Sequence, residues 1–387
     1  CGMLAVRDAL ELNTEIVGVV SAHANTYAKS FVSRSPVEST VSTKIADGID
    51  CRVPEQSALD LIWKGVERIV QVSDTEIAES MRIMYECTHN VCEGAGAAAI
   101  AAALGRMERQ GIPVLFAPAM HGAMHNSILT RSMRTLQEMG VTLIPPDQSH
   151  GKNNLAPLEL IVATTIRALS ESPLRGKSLL ITGGPTPVPV DNIRRITTRF
   201  TGALSIQLAR EAWMRGSAVE LILGKGSRSA PEYIKAKTAA TFEDYRRTLN
   251  ESLQEGNNDW GIFTAAVADF QPESVFEGKL PSNQKQLSLK LVPTVKVIEE
   301  VRQHFPELKM VTFKYEENIS HEELMEIAKK RLSEKVGSQL VVANRVEEFK
   351  QDGTQVAWLL ESKQEPQKHI GKKDIANAIL DRIELTA

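Results

Sequence analysis

Cysteine, net charge and long apolar runs are what this chain has least of. Its 387 residues hold four cysteines, Cys1, Cys51, Cys87 and Cys92. Their spacing fits neither a disulfide framework nor a zinc ribbon, so they read as reduced, structural thiols of a cytosolic protein. The 45 basic and 48 acidic residues leave a net charge of -3 without long runs of either sign, which excludes a general affinity for nucleic acid or an anionic membrane. No window reaches the ~18 uninterrupted apolar residues of a membrane span, and the most apolar stretch, 94–104, is short and Ala-rich. The opening CGMLAVRDAL is already on a helical pattern, with no initiator Met and no signal-peptide layout, and reads as a truncated N-terminus.

With 42% hydrophobic residues, the chain can form two or three globular units. From 2 to 110 the pattern gives helices over 3–11, 57–68 and 75–86, the apolar run EIVGVV and an Ala-rich segment after Glu93. Between 112 and 172 two short strands, PVLFAP and VTLIPP, alternate with helices over 128–139 and 158–169, which is half a domain at most. From Lys177 a longer series begins: KSLLIT, a helix over 203–215, then AVELILG, WGIFTAA, KMVTF, QLVVAN and VAWLLE. Apolar strands alternating with helices predict a parallel sheet covered on both faces.

In the first segment, THNVCEGAGAAAI sets Glu93 before Gly94 and Gly96 at a helix start, where backbone N–H groups suit an anionic ligand; a helix start packed on a sheet is the plain alternative. This stretch, CGMLAVRDALELNTEIVGV and IADGI together resemble the C-terminal half of the threonine and serine dehydratases, pyridoxal-phosphate enzymes of fold type II. Lys29, Lys44 and Lys64 do not match that family's Schiff-base motif and read as solvated surface. The resemblance therefore implies no pyridoxal chemistry, and Glu93 becomes a pocket residue only if a missing half is supplied. In APAMHGAMHNS, His121 and His125 have the spacing of a helical metal pair, but Pro118 and Gly122 make the stretch a loop with no third ligand nearby. It resembles the substrate loop of the flavin-linked phosphopantothenoylcysteine decarboxylases, Pro118, Ala119 and Met120 matching and His121 replacing an Asn. The flavin-binding half is absent, so no FMN site is expected.

The third segment carries the chemistry. KSLLITGGPTPVPVDNIRRITTRFTGALS runs from a strand through Gly183 and Gly184 to a helix beginning near Gly202, a layout that holds phosphate on backbone N–H groups. It lacks the G-x-G-x-x-G fingerprint. Arg194, Arg195 and Arg199 offer forks for phosphate or carboxylate, or are surface arginines on an irregular loop. FTAAVADFQP brings Asp269 to a strand's end, where it can hold a hydrated Mg²⁺ or cap the next element. Lys279 lies on a loop rich in Gly, Pro, Ser and Asn that suits closure over a triphosphate. VVANRVEE puts Asn344 and Arg345 at another strand end. GKGS at 224–227 lacks the full P-loop spacing, and HEEL at His321 lacks a second His; Ser320 and Glu323 read as a helix capping box.

From 177 to about 383 the chain resembles the phosphopantothenate-cysteine ligases of coenzyme A biosynthesis, through GGPTPVPVDNIRRITTRFTG, AAVADFQP, KLPS with LVPT, VTFKYEEN and VVAN. The resemblance implies an α/β fold, a Rossmann-like ligase domain at 173–387 preceded by partial segments at 1–110 (dehydratase-like) and 111–172 (flavodoxin-like decarboxylase). It also implies Mg²⁺ with CTP or ATP, a homodimer through the ligase domain, and a cytoplasmic enzyme acting on 4'-phosphopantothenate and cysteine. Lys279, Arg199 and Thr198 become the catalytic residues. Gly183, Gly184, Asp191, Arg194, Gly202, Ala268, Phe270, Phe313, Lys314 and Asn344 become binding residues, with Asp269 on the metal. Two departures mark the sequence: Thr198 stands where the family has Asn, and Lys279-Leu-Pro-Ser282 keeps one of three loop lysines, with Lys285 as a substitute. An inactive nucleotide-binding remnant, or a dehydratase completed by another chain, is the alternative.

Overall fold

A computed structural model describes every residue except 1, 89–90, 111–112, 119–126, 148–153, 282, 284–285, 334–335, 363 and 387. The chain divides into two compact units, Cys1–Thr165 and Ile166–Ala387.

In the first unit α1 (Gly2–Ala9) precedes β1 (Val17–Ser21), α2 (Thr26–Ser33), α3 (Gln56–Gly65), β2 (Arg68–Val72), α4 (Asp74–Thr88) and α5 (Gly94–Gln110). β1 and β2 run parallel, with Val17 opposite Arg68. Ala97, Ala98, Ala101 and Ala102 form the buried face of α5 and pack with Val72 and Ile77; alanine at i, i+1, i+4 and i+5 gives a flat stripe that sits close to its neighbours. Lys29, Lys44 and Lys64 are exposed. β3 (Leu115–Phe116), α6 (Ser127–Glu138) and β4 (Thr142–Leu143) follow, with β3 parallel to β4, and the division between the units falls within α7 (Leu158–Leu169). Leu136 and Val141 gather Val114, Phe116 and Leu143 together with Ile83 of α4, so the short middle segment shares an apolar cluster with the segment before it. His121 and His125 lie outside the described residues.

The second unit holds β5 (Ser178–Gly183), β6 (Val188–Pro189), β7 (Arg195–Ile196), α8 (Ala203–Met214), β8 (Ala218–Gly224), β9 (Lys235–Ala239), α9 (Phe242–Glu255) and β10 (Trp260–Phe263). It continues through β11 (Phe270–Pro272), β12 (Leu291–Pro293), α10 (Val297–His304), β13 (Lys309–Glu316), α11 (His321–Ser333), β14 (Leu340–Arg345), β15 (Val356–Leu360), β16 (Gln367–Ile370) and α12 (Lys372–Glu384). Eight strands form one sheet in the order β16-β15-β14-β13-β10-β5-β8-β9.

The strands from β14 to β9 are parallel. The expectation that VAWLLE joins them in parallel is corrected: β15 pairs antiparallel to β14, and β16 to β15. The link from Arg345 to Val356 holds only the short 3-10 turn Val346–Glu348, less than the dozen or so residues a parallel crossover needs. Along β5, Leu179 and Ile181 face one core and Leu180 the other. All three are fully buried, each contributing roughly 1.5–3 kcal/mol. The chain leaves β5 toward β8 and β9, then returns to β10 on the other side of β5. The strand order therefore reverses between β5 and β10, and in open α/β sheets such a reversal opens a crevice at the carboxyl ends of the strands.

Candidate functional site

The loops leaving β5 and β10 line this crevice side by side. The Ala266 N–H donates to the Gly184 carbonyl at 2.9 Å, the Ala268 N–H donates to the buried Thr186 hydroxyl at 2.8 Å, and the Thr264 hydroxyl donates to the Thr182 carbonyl at 2.8 Å. The two glycines let this happen. A Cβ on Gly183 would come within 1.8 Å of the Ser205 hydroxyl, and Gly184 has φ +76, a left-handed conformation that side chains disfavour. α8 then starts at Gly202 with no side-chain cap and no acidic residue in its first turn. Its first N–H groups thus form an uncompensated positive end beside the Gly183–Gly184 loop.

Gly224 to Ser227, which lack P-loop spacing in the sequence, close the other side. The Ser227 hydroxyl donates to the Gly224 carbonyl at 2.7 Å and lies where a Cβ on Gly184 would be. The Arg228 N–H donates to the Thr201 carbonyl at 3.0 Å. Residues 223–232, with Ile234, Ala236 and Thr238, line a cleft of about 360 Å³ there, with Lys225, Ser227 and Arg228 on its wall.

Asp191 organises the second part of the site. β6 and β7 form an antiparallel hairpin, where the sequence suggests an irregular loop, and Asp191 sits in its turn with a fully buried side chain. One carboxylate oxygen accepts from the Ile193 and Arg194 N–H groups. The other accepts from the Arg194 guanidinium at 2.5 Å and the Leu280 N–H at 2.9 Å. Burial alone would raise the Asp191 pKa; the amides of Leu280, Arg194 and Ile193 and the Arg194 guanidinium outweigh it and hold the carboxyl well below the usual range. The Asn192 N–H donates to the Gly278 carbonyl at 3.0 Å, and the Arg194 guanidinium to the Leu280 carbonyl at 3.2 Å. The segment carrying the exposed Lys279 is therefore stitched to the hairpin on both sides of that lysine. Asp191 and Arg194 spend their polar groups mainly on this stitching, while Arg195 donates to the Ala240 carbonyl.

Thr198 is exposed, and the Arg199 side chain, 87% exposed, lies 4.0 Å from Glu317. Phe200 meets Tyr315 edge-on at 5.6 Å. Burial, followed by the hydrogen bond to Glu317, pushes the Tyr315 hydroxyl up to about 12. The loop before α8 thereby reaches the carboxyl end of β13. There Lys314 pairs with Glu316 at 2.6 Å, and Phe313 packs against the core. Asn344 is buried near the end of β14. Its neighbour Arg345 bonds Glu348 and the Ile319 carbonyl.

Asp269 follows the Ala268–Thr186 bond, and Phe270, 54% exposed, opens β11. The Asp269 carboxylate is paired with Lys296 at 2.6 Å. Among the described residues no group of three or more His, Cys, Asp or Glu gathers to hold a metal. A carboxylate with one oxygen already on an ammonium and fewer than two fellow ligands does not fit a protein-held divalent ion. Ser282 and Lys285 lie outside the described residues. Sequence reasoning missed Thr186, Ser227, Thr294 and Lys296. Thr186 and Thr294 lie inside the quoted stretches GGPTPV and LVPT and Ser227 inside GKGS, but a threonine or serine there does not announce its bond, and a lysine ahead of a helix carries no signal.

Residues 174–386 match the family model described as DNA/pantothenate metabolism flavoprotein C-terminal domain, and residues 1–114 match that of the pyridoxal-phosphate dependent enzymes. The chain is 34% identical over 274 residues to the coenzyme A biosynthesis bifunctional protein CoaBC of Thermococcus kodakarensis, covering 70% of this chain and 67% of that protein. It is 30% identical over 275 residues to CoaBC of Methanocaldococcus jannaschii, covering 70% of this chain and 66% of that protein. The chain thus spans about two thirds of the length of these relatives. The DNA/pantothenate metabolism flavoprotein of Streptococcus pneumoniae shares the fold, with a TM-score of 0.50 at 23% identity, over 55% of this chain and 100% of that one. The chain belongs to the coenzyme A biosynthesis bifunctional enzymes, and its residues 174–386 are the ligase-type, DNA/pantothenate metabolism flavoprotein C-terminal domain of that family.

Proposed function

We propose that residues 173–387 are a phosphopantothenate-cysteine ligase. The reading rests chiefly on one observation: at the strand-order reversal the glycine loop after β5 is bonded to the loop leaving β10 and lies beside the open start of α8. In the proposed reaction a carboxylate oxygen of 4'-phosphopantothenate attacks the α-phosphorus of CTP or ATP. The bond to the β-phosphate breaks and pyrophosphate leaves. The amine of cysteine then attacks the acyl carbon, the nucleoside monophosphate departs with the bonding electrons, and the amine loses a proton.

Such chemistry needs crowded negative charge neutralised and two anions aligned, rather than a strong base. Backbone N–H groups of Gly183, Gly184 and the first turn of α8 suit a phosphate. Lys279 is assigned the triphosphate, and Arg199, whose side chain is 87% exposed, the developing charge. Thr198 replaces the family's Asn with a hydroxyl that handles the acyl-nucleotide. Asp191 and Arg194 position Lys279. Phe270, Phe313, Lys314 and Asn344 are assigned to the substrates.

The same reading divides the chain into a dehydratase-like part at 1–110, a decarboxylase-like part at 111–172 and the ligase at 173–387. The first boundary is supported by the pyridoxal-phosphate-type match ending at residue 114, and the second by the flavoprotein C-terminal-domain match beginning at residue 174. A homodimer through the ligase domain is supported by exposed Ile193, Ile196, Phe270, Phe276 and Leu291 on the β6–β7 hairpin and the β11–β12 ribbon. No helix of the described residues is long and apolar enough to cross a membrane; the proposed substrates are charged metabolites, and the proposed place of action is the cytoplasm. Purified protein given 4'-phosphopantothenate, cysteine, Mg²⁺ and either CTP or ATP releases pyrophosphate in a coupled phosphate assay. Absence of release with both nucleotides contradicts the assignment.

A further inference from the structure

The pairing of Lys296 with Asp269 has no precedent in the sequence reading, which gives Asp269 to a metal. We infer that Lys296 is a cation of the nucleotide site, occupying the place on Asp269 that a protein-held divalent ion would otherwise take; this rests on the ligase reading above. Position is the first argument. The Thr294 N–H donates to the Asp269 carbonyl at 2.9 Å, and the Thr294 hydroxyl donates to the Ala268 carbonyl at 2.5 Å, so the end of β12 is pinned to the loop leaving β10. Lys296 lies two residues beyond that pin, and Ala268 is bonded to Thr186 of the loop leaving β5. The ammonium is thereby held at the crevice margin by short, directly bonded segments.

Charge is the second argument. An unpaired carboxylate at the mouth of a site that takes a nucleotide would repel its phosphates, and among the described residues Asp269 belongs to no group of three or more candidate metal ligands. Lys296 cancels that charge at 2.6 Å. Arg331 of α11 also acts on Asp269 electrostatically, though it is itself more buried.

Exposure is the third. The two side chains are 60% and 68% exposed, and ion pairs so open to water are held weakly. An ammonium on a flexible stem can thus exchange its carboxylate for a more highly charged phosphate at little cost.

The test is calorimetric titration of CTP, and separately ATP, into the full chain and its Lys296→Ala and Lys296→Arg variants, each in EDTA and in Mg²⁺. A charge-assisted contact predicts that Lys296→Ala weakens binding in EDTA by about tenfold. Mg²⁺ restores most of that loss, because the ion carried by the nucleotide then neutralises phosphate charge that the lysine no longer meets. Lys296→Arg binds as wild type, and wild type itself binds within about threefold in the two conditions. Lys296 is exposed, so an unchanged thermal midpoint confirms that the variants are folded. Equal affinity of Lys296→Ala and wild type in both conditions overturns the inference while leaving the ligase reading intact. Loss of wild-type binding in EDTA overturns it too, since the lysine then does not stand in for the ion. If wild type binds neither nucleotide in either condition, the ligase reading fails and the inference falls with it.

Discussion

Asp191 has no carboxylate oxygen to spare for a ligand: four protein donors use both. Its importance lies in holding Leu280, and with it the neighbouring Lys279. Asp191→Asn keeps the shape but turns one acceptor into an N–H that faces other donors. It should lower the thermal midpoint by roughly 5 °C or more, and it should expose the segment around Lys279 to proteolysis. The pH dependence has a definite sign. The folded carboxyl titrates below its ordinary 3.8, so the unfolded chain binds the proton more tightly. The stabilisation is complete above about pH 4 and is lost as the pH falls toward the folded value. Thermal melts between about pH 3 and 6 should show wild type losing its advantage over Asp191→Asn toward the acid end. The resemblance marks Asp191 as a binding residue, but its positioning role is not legible in the sequence, because its partner Leu280 is 89 residues away and donates through its backbone. Gly183 and Gly184 are legible, since a glycine pair between strand and helix has few other uses.

At the level of elements, local patterns predict well where the stabilising contacts are local. The capping box of α11 forms as the sequence suggests: the Ser320 N–H donates to Glu323 at 2.7 Å, and the Glu323 N–H to the Ser320 hydroxyl at 3.2 Å. Ser320→Ala should cost about 1 kcal/mol in denaturant unfolding, and an unchanged midpoint would remove the cap from the account. The buried strands β5, β8, β10, β13 and β14 are legible as apolar runs. β9 and β16 are not, because as edge strands they read KAKTA and QKHI, with mostly exposed or half-exposed residues. The β6–β7 hairpin is hidden for a different reason. Each strand is two residues long, and the contacts that fix it come from β11 and the Lys279 segment.

For the whole molecule, composition and the alternation of strands and helices suffice for the α/β class. The reversal of strand order that makes the crevice depends on which strands pair across the sheet, which no periodicity reveals. The middle segment likewise has too few apolar residues to announce where it packs, and Ile83 of α4 supplies the missing surface. Family membership makes the ligase domain the part of the chain to test. Its two half-reactions can be separated, because Thr198 stands at the position linked to the second. The most direct measurement incubates the full chain with 4'-phosphopantothenate, cysteine, Mg²⁺ and CTP or ATP, and quantifies pyrophosphate and the phosphopantothenoyl-cysteine amide by chromatography with mass spectrometry. The account predicts amide and pyrophosphate in equal amounts, with no amide when cysteine is left out; pyrophosphate without amide, or neither product with either nucleotide, contradicts it.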